Sequence, residues 1–299
     1  MGSGELFLQQ FLNGLTIGAI YALIALGYTM VYGIIQLINF AHGEIFMAGA
    51  YIGLSAVLLL PVKGVGGLLL ALAAAAAGCG LLGLAVERVA YRPLRRAPKL
   101  SVLITAIGVS FFLQNAVMIL YGAADRYVPA VMAVRRWNIG HVTVTSMQVI
   151  IVAVSVLMMA GLQWVVHSTR LGRAMRAVSQ DPLAARLMGI SVDRVIAATF
   201  MIGSALAGVG GVLFGFQYST INFHDGYMTG MKAFTAAVLG GIGNIPGAML
   251  GGLTLGLLEG LGAGYLSAQW KNVIAFSVLV LVLLFRPRGL LGERVAERA

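Results

Sequence analysis

The sequence predicts an all-α polytopic membrane protein, a transmembrane helical bundle of about eight to nine spans with two broken segments. Three observations carry this. Hydrophobic residues fill 60% of the 299 positions and charged residues only 10%, whereas soluble domains average about 45–50% and ~25%. The apolar residues gather into runs that approach or exceed the ~20 residues a helix needs to cross a hydrocarbon core. Lys and Arg collect at the ends of those runs, where membrane topology places them. The 40 glycines fit the same class, because small residues let membrane helices approach closely.

The runs follow in order. Phe11 to Val31 is the first, and the polar stretch Ile38-Asn39-Phe40-Ala41-His42-Gly43-Glu44 interrupts the chain after it. Ile45–Leu60 and Gly66–Val86 are the second and third, separated by a turn at Pro61-Val62-Lys63-Gly64. A basic loop then carries Arg88, Arg92, Arg95, Arg96 and Lys99. Val102–Tyr121 is the fourth run, residues 122–146 read as a loop, and Met147–Val166 is the fifth. Polar, basic residues fill 167–194, Val195–Phe216 is the sixth run, and 217–231 reads as a polar loop. Residues 232–263 are apolar but broken at Gly240-Gly241-Ile242-Gly243-Asn244-Ile245-Pro246-Gly247, and Asn272–Phe285 is the last run.

Charge orients this map. Fourteen of the 20 Lys and Arg fall in three segments: five at 88–99, five at 170–194 and four at 286–298. Those segments are expected on the cytoplasmic side, which places 122–146 and the N-terminus outside and the C-terminus inside. The net charge of +10 is thus explained by topology, and no nucleic-acid partner is expected. Met1-Gly2-Ser3-Gly4-Glu5 has no basic region of a secretory signal, and Leu6 breaks the myristoylation pattern. The single cysteine, Cys79, excludes an internal disulfide and reads as a small packing residue. No stretch between runs is long enough for a soluble domain, so residues 1–299 read as one transmembrane domain.

Two constellations stand out. The first is the pair of interruptions, 38–49 and 239–251. Unwound backbone at membrane depth is tolerated only where protein or water satisfies it, and paired interruptions in two halves point to a transport site. Asn39, His42 and Glu44 in one, Gly241, Gly243 and Asn244 in the other, and Glu259 further along are the expected lining. The competing account makes the glycines packing devices, the polar residues interfacial turns, His42 a cap, and Glu259 a cap near the outer surface.

The second is Thr169–Arg194. Asp181 is placed to cap a helix, Pro182 suits the first helical position, and Gly189 suits the left-handed residue that ends it. Leu183, Ala184, Ala185, Arg186, Leu187 and Met188 lie between, making about two turns with apolar residues away from any lipid-facing run. Such a helix fits a partner groove. It also fits a membrane surface, which Arg170, Arg173 and Arg176 would favour.

Several chemistries are missing from the sequence. It has no Walker A loop, no HExxH, CxxC or GxSxG, and no potassium-filter motif. His42, His141, His167 and His224 lie in four separate segments. No metal, bound cofactor or enzymatic activity is expected.

At Asn39-Phe40-Ala41-His42-Gly43, at Asp181–Ile190 and at Gly240–Ala248 the sequence resembles the permease subunits of branched-chain amino acid ABC importers, closest to the shorter of the two paired permeases. The resemblance spans essentially the whole chain. It implies a second homologous permease, two cytoplasmic ATPase subunits that use ATP, a periplasmic substrate-binding protein, and an inner-membrane location. It also implies that Ala184, Ala185, Leu187 and Gly189 belong to the segment that couples to the ATPases. Leu183 departs from the acidic residue common in other importer permeases, so no ion pair is inferred there. An ion-driven secondary transporter and a passive solute channel are the rival readings. The first would need buried ionisable residues, for which Glu44 and Glu259 are the acids available; the second has no use for the basic 169–194 loop.

Overall fold

The computed structural model describes residues 3–95 and 97–292. Arg96 and the basic residues Arg294 and Arg298, which entered the topology argument, lie outside the described residues. Twelve helices follow in chain order: α1 (Ser3–Ile35), α2 (His42–Leu59), α3 (Val65–Val86), α4 (Arg92–Leu94), α5 (Lys99–Tyr121), α6 (Ser146–Ser168), α7 (Arg170–Gln180), α8 (Pro182–Leu187), α9 (Val192–Tyr218), α10 (Asp225–Gly240), α11 (Ile245–Tyr265) and α12 (Trp270–Phe285). A π-helical turn at Glu87–Tyr91 joins α3 to α4. Among the described residues, seven helices are long and apolar enough to span a bilayer. The helices α10 and α12 have 16 residues each, which at about 1.5 Å per residue gives ~24 Å. Helix α12 is a shorter apolar helix, and α10 packs against it and against α11.

Packing follows the glycines. Helix α1 lies antiparallel on α11, and the contact is backbone against backbone. A Cβ on Gly14 would stand 2.8 Å from the Gly256 carbonyl oxygen, and one on Gly18 2.9 Å from Leu253 Cα. The helices α2 and α3 both cross α9 at Gly208, where a Cβ would meet the Ala75 carbonyl oxygen at 2.7 Å and Cys79 Sγ at 2.8 Å. Cys79 itself is buried and donates to the Ile45 carbonyl at 3.3 Å, a small packing residue as expected. In lipid there is no hydrophobic drive between helices, so close approach of this kind supplies the attraction.

Contacts at the two ends agree with the charge-based map. At one end, Gln9 Nε2 donates to the Thr143 carbonyl at 3.2 Å and the Gly64 amide to the Val131 carbonyl at 2.8 Å. The start of α1, the 60–64 turn and the 122–145 segment therefore share that end. The other, basic end joins Tyr91 to Asn39, Arg95 to Asp193 and Asn244 to Leu291.

Four details differ from the sequence reading. Residues 122–146 are not only loop: Arg136–Ile139 pairs antiparallel with Val142–Thr145, and Arg126–Tyr127 pairs with Thr220–Ile221. Strands at a membrane rim face water, where β-branched residues and Trp137 suit a short ladder. The 217–231 segment is polar but not wholly loop, since α10 begins at Asp225. The first interruption is narrower than 38–49. Helix α1 ends at Ile35, Gln36 takes a left-handed conformation at φ 51°, and α2 begins at His42. The second interruption is Gly241–Asn244, with Gly241 and Gly243 at φ 104° and 98°, a conformation glycine adopts at little cost.

The two interruptions also place the helices unequally in depth. His42 packs against Tyr28 of α1, with ring centroids 4.8 Å apart, well before the end of α1. Chain 36–41 therefore folds back into the bundle, and α2 starts inside it. Glu44 in its first turn meets Ser110, midway along α5. Helix α10 also starts at this depth, with Gly226 and Gly230 against Gly43. The two helices then run to opposite ends.

Candidate functional site

The basic end carries the first candidate surface. Thr169 caps α7 by accepting from the Gly172 amide at 3.1 Å. Asp181 caps α8, its carboxylate accepting from the amides of Leu183 at 2.8 Å and Ala184 at 3.1 Å, with Pro182 at the first helical position. Gly189 sits at φ 81° and closes the helix, and the Ile190 amide returns to the Ala185 carbonyl at 2.9 Å. Start, length and stop are those the sequence predicts.

The faces of α8 are sharply divided. Ala185 is buried, while Leu183, Leu187 and Met188 are 69%, 82% and 82% exposed. Ala185 is pressed into this chain and offers a partner no surface. Ala184 and Arg186 are exposed beside the apolar ridge.

What holds the segment in place was not read from the sequence. Asp193, in the first turn of α9, accepts from Arg95 at 2.6 Å and Arg92 at 3.3 Å and lies 4.0 Å from Arg186. Arg95 also bonds to Glu87, whose carboxylate is buried in the π-helical turn. The α7–α9 segment and the end of α3–α4 are thus one charged cluster. Arg176 of α7 further bonds to the Val166 carbonyl at the end of α6. The basic clusters at 88–99 and 170–194 gave the signal of a shared end, but not the pairing.

The residues expected to line a path fall in separate places. Gly241, Gly243 and Asn244 form the α10–α11 break at the basic end. Asn244 caps α11 through the Gly247 amide at 2.9 Å and donates to the Leu291 carbonyl at 2.9 Å. The amides of Leu290 and Leu291 donate to the Leu239 and Gly240 carbonyls at 2.8 and 3.0 Å, satisfying the end of α10. Gly243 also lines a cavity of about 90 Å³ shared by α1, α6, α7 and α11.

Asn39, His42 and Glu44 are buried to 2%, 1% and 1% exposure. None lies at an interface with water, and α2 has no side-chain cap, so the capping account of His42 is overturned. Asn39 accepts from the Ala41 amide at 3.2 Å and from Tyr91 Oη at 2.9 Å, which fixes the returning turn. Glu44 accepts from Ser110 Oγ at 3.3 Å, and its other oxygen, Oε2, has no hydrogen-bond partner among the described residues.

Glu259 is elsewhere again. It is buried, 2.9 Å from Lys232 Nζ, and accepts from Tyr21 Oη at 2.9 Å. It is neither a helix cap nor a surface group. Lys232, the buried cation that answers it, was missed because it sits at the head of an apolar run and reads as its boundary.

Comparison with known proteins places the chain. Residues 10–283 match the family model of the branched-chain amino acid transport system permease component. The chain is 50% identical to the high-affinity branched-chain amino acid transport system permease protein BraD of Pseudomonas aeruginosa, covering 98% of each. It is 49% identical to LivH of Escherichia coli K12, a permease protein of the same description, over 98% of this chain and 97% of that one. A probable branched-chain amino acid transport permease protein of Methanocaldococcus jannaschii is 27% identical over 90% of this chain and 88% of its own. These relatives are transport permeases and not enzymes, and this chain, multi-spanning and all-α in its membrane part, belongs to the family of permease components of branched-chain amino acid transport systems.

Proposed function

We propose that this permease passes branched-chain amino acids across the bacterial inner membrane as one subunit of an ATP-driven importer. ATP is bound and hydrolysed on separate cytoplasmic subunits, two per complex, and this chain binds no cofactor. A second homologous permease completes the path, and a periplasmic binding protein delivers and selects the substrate. The whole chain acts as a single permease domain, and residues 169–194 are its coupling segment.

The observation that carries the coupling reading is α8 itself. A short helix, capped at Asp181 and stopped at Gly189, presents Leu183, Leu187 and Met188 to solvent while its other side is anchored by Ala185 and the Asp193 cluster. Exposed apolar side chains on a rigidly held element mark a partner surface. The surface-helix alternative would lay the ridge in lipid headgroups, but then the charged cluster joining α8 to α3–α4 and α9 has no task. Within the bundle, His42, Glu44, Gly241, Gly243 and Asn244 border the path, and Asn39 and Glu259 hold the helices around it.

The test is reconstitution. The chain assembled with its permease, ATPase and binding-protein partners in proteoliposomes is expected to accumulate radiolabelled leucine only with ATP inside. Uptake without ATP, or by the chain alone, would return the secondary-transporter or channel reading.

A further inference from the structure

Helix α7 carries a charged face that nothing among the described residues answers. Its buried residues, Gly172, Met175 and Val178, recur every three positions and pack inward. Arg170, Arg173 and Arg176 recur with the same spacing and are exposed. At 3.6 residues per turn the two sets lie about 160° apart around the helix. No ion pair joins these arginines to an acid among the described residues. The acids nearest in sequence are engaged elsewhere: Asp181 caps α8, and Asp193 pairs with Arg95 and Arg92.

The fold fixes the level of this face. The chain turns sharply at Thr169, so the first turn of α7 lies on the last turn of α6, with Gly172 against the Val165 and Val166 carbonyls. Arg176 donates to the Val166 carbonyl and Arg173 to that of Ser168 at 3.4 Å. Both guanidinium groups are thereby held where α6 ends. These carbonyls do not neutralise them, since a helix C-terminus amounts to roughly half a negative charge against three full positive ones. The face of α6 leading to this point is apolar and open: Val156, Leu157 and Trp164 are all exposed. A tryptophan about one turn from the end of a span marks the boundary of hydrocarbon and headgroups.

Positive charge at headgroup level, beside such a tryptophan and without an acid of its own, fits a lipid phosphate. We propose that the Arg170, Arg173 and Arg176 face of α7 docks anionic phospholipid of the cytoplasmic leaflet, its phosphate among the guanidinium groups and its acyl chains along α6 past Trp164. The planar fork of arginine bonds phosphate through two N–H groups at once. Each basic residue at such a surface strengthens binding about fivefold, so three give a gain on the order of a hundredfold. The 169–194 segment then has two surfaces of different chemistry. The cationic face of α7 holds lipid, and the apolar ridge of α8 is left for a protein. Lipid on α7 steadies the helix that carries α8, but the lipid site does not rest on the coupling reading.

The test uses the full chain in nanodiscs, with Trp137→Phe and Trp270→Phe leaving Trp164 as the remaining tryptophan of three. Phosphatidylglycerol and phosphatidylcholine, each brominated on the acyl chains, are compared as quenchers at the same low fraction in a phosphatidylcholine bilayer. Brominated phosphatidylglycerol is expected to quench Trp164 at least twofold more strongly. Arg170→Gln with Arg173→Gln, which spares the Arg176 bond to α6, is expected to remove the difference. Arg170→Lys with Arg173→Lys is expected to keep most of it. Equal quenching by the two lipids with all three arginines present overturns the site. So does a phosphatidylglycerol preference that the glutamine variant retains, above all if that variant sheds ATPase subunits from the complex, since the arginines then serve a protein. Where the glutamine variant does not fold, salt decides. The preference is expected to fade between about 0.01 and 1 M, as the Debye length shrinks from ~30 to ~3 Å; a preference unchanged by salt overturns the proposal.

Discussion

Lys232 on α10 and Glu259 on α11 form a buried ion pair, Nζ to Oε1 at 2.9 Å, and Tyr21 on α1 donates to the second carboxylate oxygen at 2.9 Å. The pair bridges the two helices that flank the Gly241–Asn244 break, with α1 as the third wall. Glu259 is 1% exposed and Lys232 9%. Removing one member of such a pair leaves a buried charge and costs about 3–5 kcal/mol, whereas replacing both by apolar residues of similar volume is often neutral or stabilising.

Glu259→Gln and Lys232→Met are therefore each expected to lower the thermal midpoint of the detergent-solubilised protein by several degrees. The double variant Lys232→Met, Glu259→Leu is expected to regain most of that loss. A double variant as unstable as the two losses added together would show that the residues do not act as a pair.

The glycine contact between α1 and α11 gives opposite signs at neighbouring-looking positions. A Cβ at Gly18 meets Leu253 backbone at 2.9 Å, and backbone cannot move aside as a flexible side chain does. Overpacking of this kind costs ~1–3 kcal/mol or more. Gly161 on α6 has nothing within 4 Å, so alanine there gains only the roughly 0.5–1 kcal/mol by which it betters glycine in a helix. Gly18→Ala is expected to reduce the yield of folded protein and Gly161→Ala to preserve or raise it, measured by gel filtration in detergent. The same sign for both would remove the packing argument.

How much of this was legible in the sequence depended on how local each signal is. The α8 helix was readable to its ends, because Asp181, Pro182 and Gly189 each act on neighbouring backbone. The Gly241–Asn244 break was readable for the same reason, through glycines at φ near 100° and Pro246 at the start of α11. The partners of Asn39, Glu259 and Asp193 were not, since Tyr91, Lys232 and Arg95 lie 27 to 98 residues away and no helical period links them. The start of α10 was hidden because His224-Asp225-Gly226 has turn composition, and its helix is set by packing of Gly226 and Gly230 on Gly43. Glu44 was visible as an acid near a membrane run, but its depth was not, because depth follows from the 36–41 segment folding back.

The orientation can be checked at two positions whose exposure is known. Gln180 ends α7 at the basic end, and Gly140 lies at the tip of the Arg136–Thr145 hairpin at the opposite end, exposed. In a Cys79→Ala background, cysteine at 180 is expected to react with a membrane-impermeant thiol reagent only in inside-out vesicles, and cysteine at 140 only in spheroplasts. Labelling in the reverse pattern would invert the map and with it the assignment of α8 to the cytoplasm.

The coupling surface makes the sharpest demand, because its face and its anchor are separate sets of residues. Leu187 and Met188 are each 82% exposed and touch little of their own chain. Fully burying such a side chain stabilises by about 1.5–3 kcal/mol, so two of them account for roughly 3–6 kcal/mol of docking, and each 1.4 kcal/mol is a factor of about ten in affinity. Leu187→Asp with Met188→Asp is thus expected to leave the thermal midpoint of the isolated permease unchanged while ATPase subunits dissociate and leucine uptake falls more than tenfold. Ala185→Trp, by contrast, forces a large ring into a position with 4% exposure and is expected to lower the midpoint as well as uptake. Gly189→Ala lies between: a Cβ meets nothing within 4 Å, so its cost is the ~1–2 kcal/mol of a left-handed backbone at φ 81°, with a partial loss of uptake. The measurements are thermal midpoint, ATPase retention on the purified complex, and uptake for all three. If the double aspartate variant keeps its ATPase subunits and transports normally, α8 is not the coupling element, whatever the other two variants do.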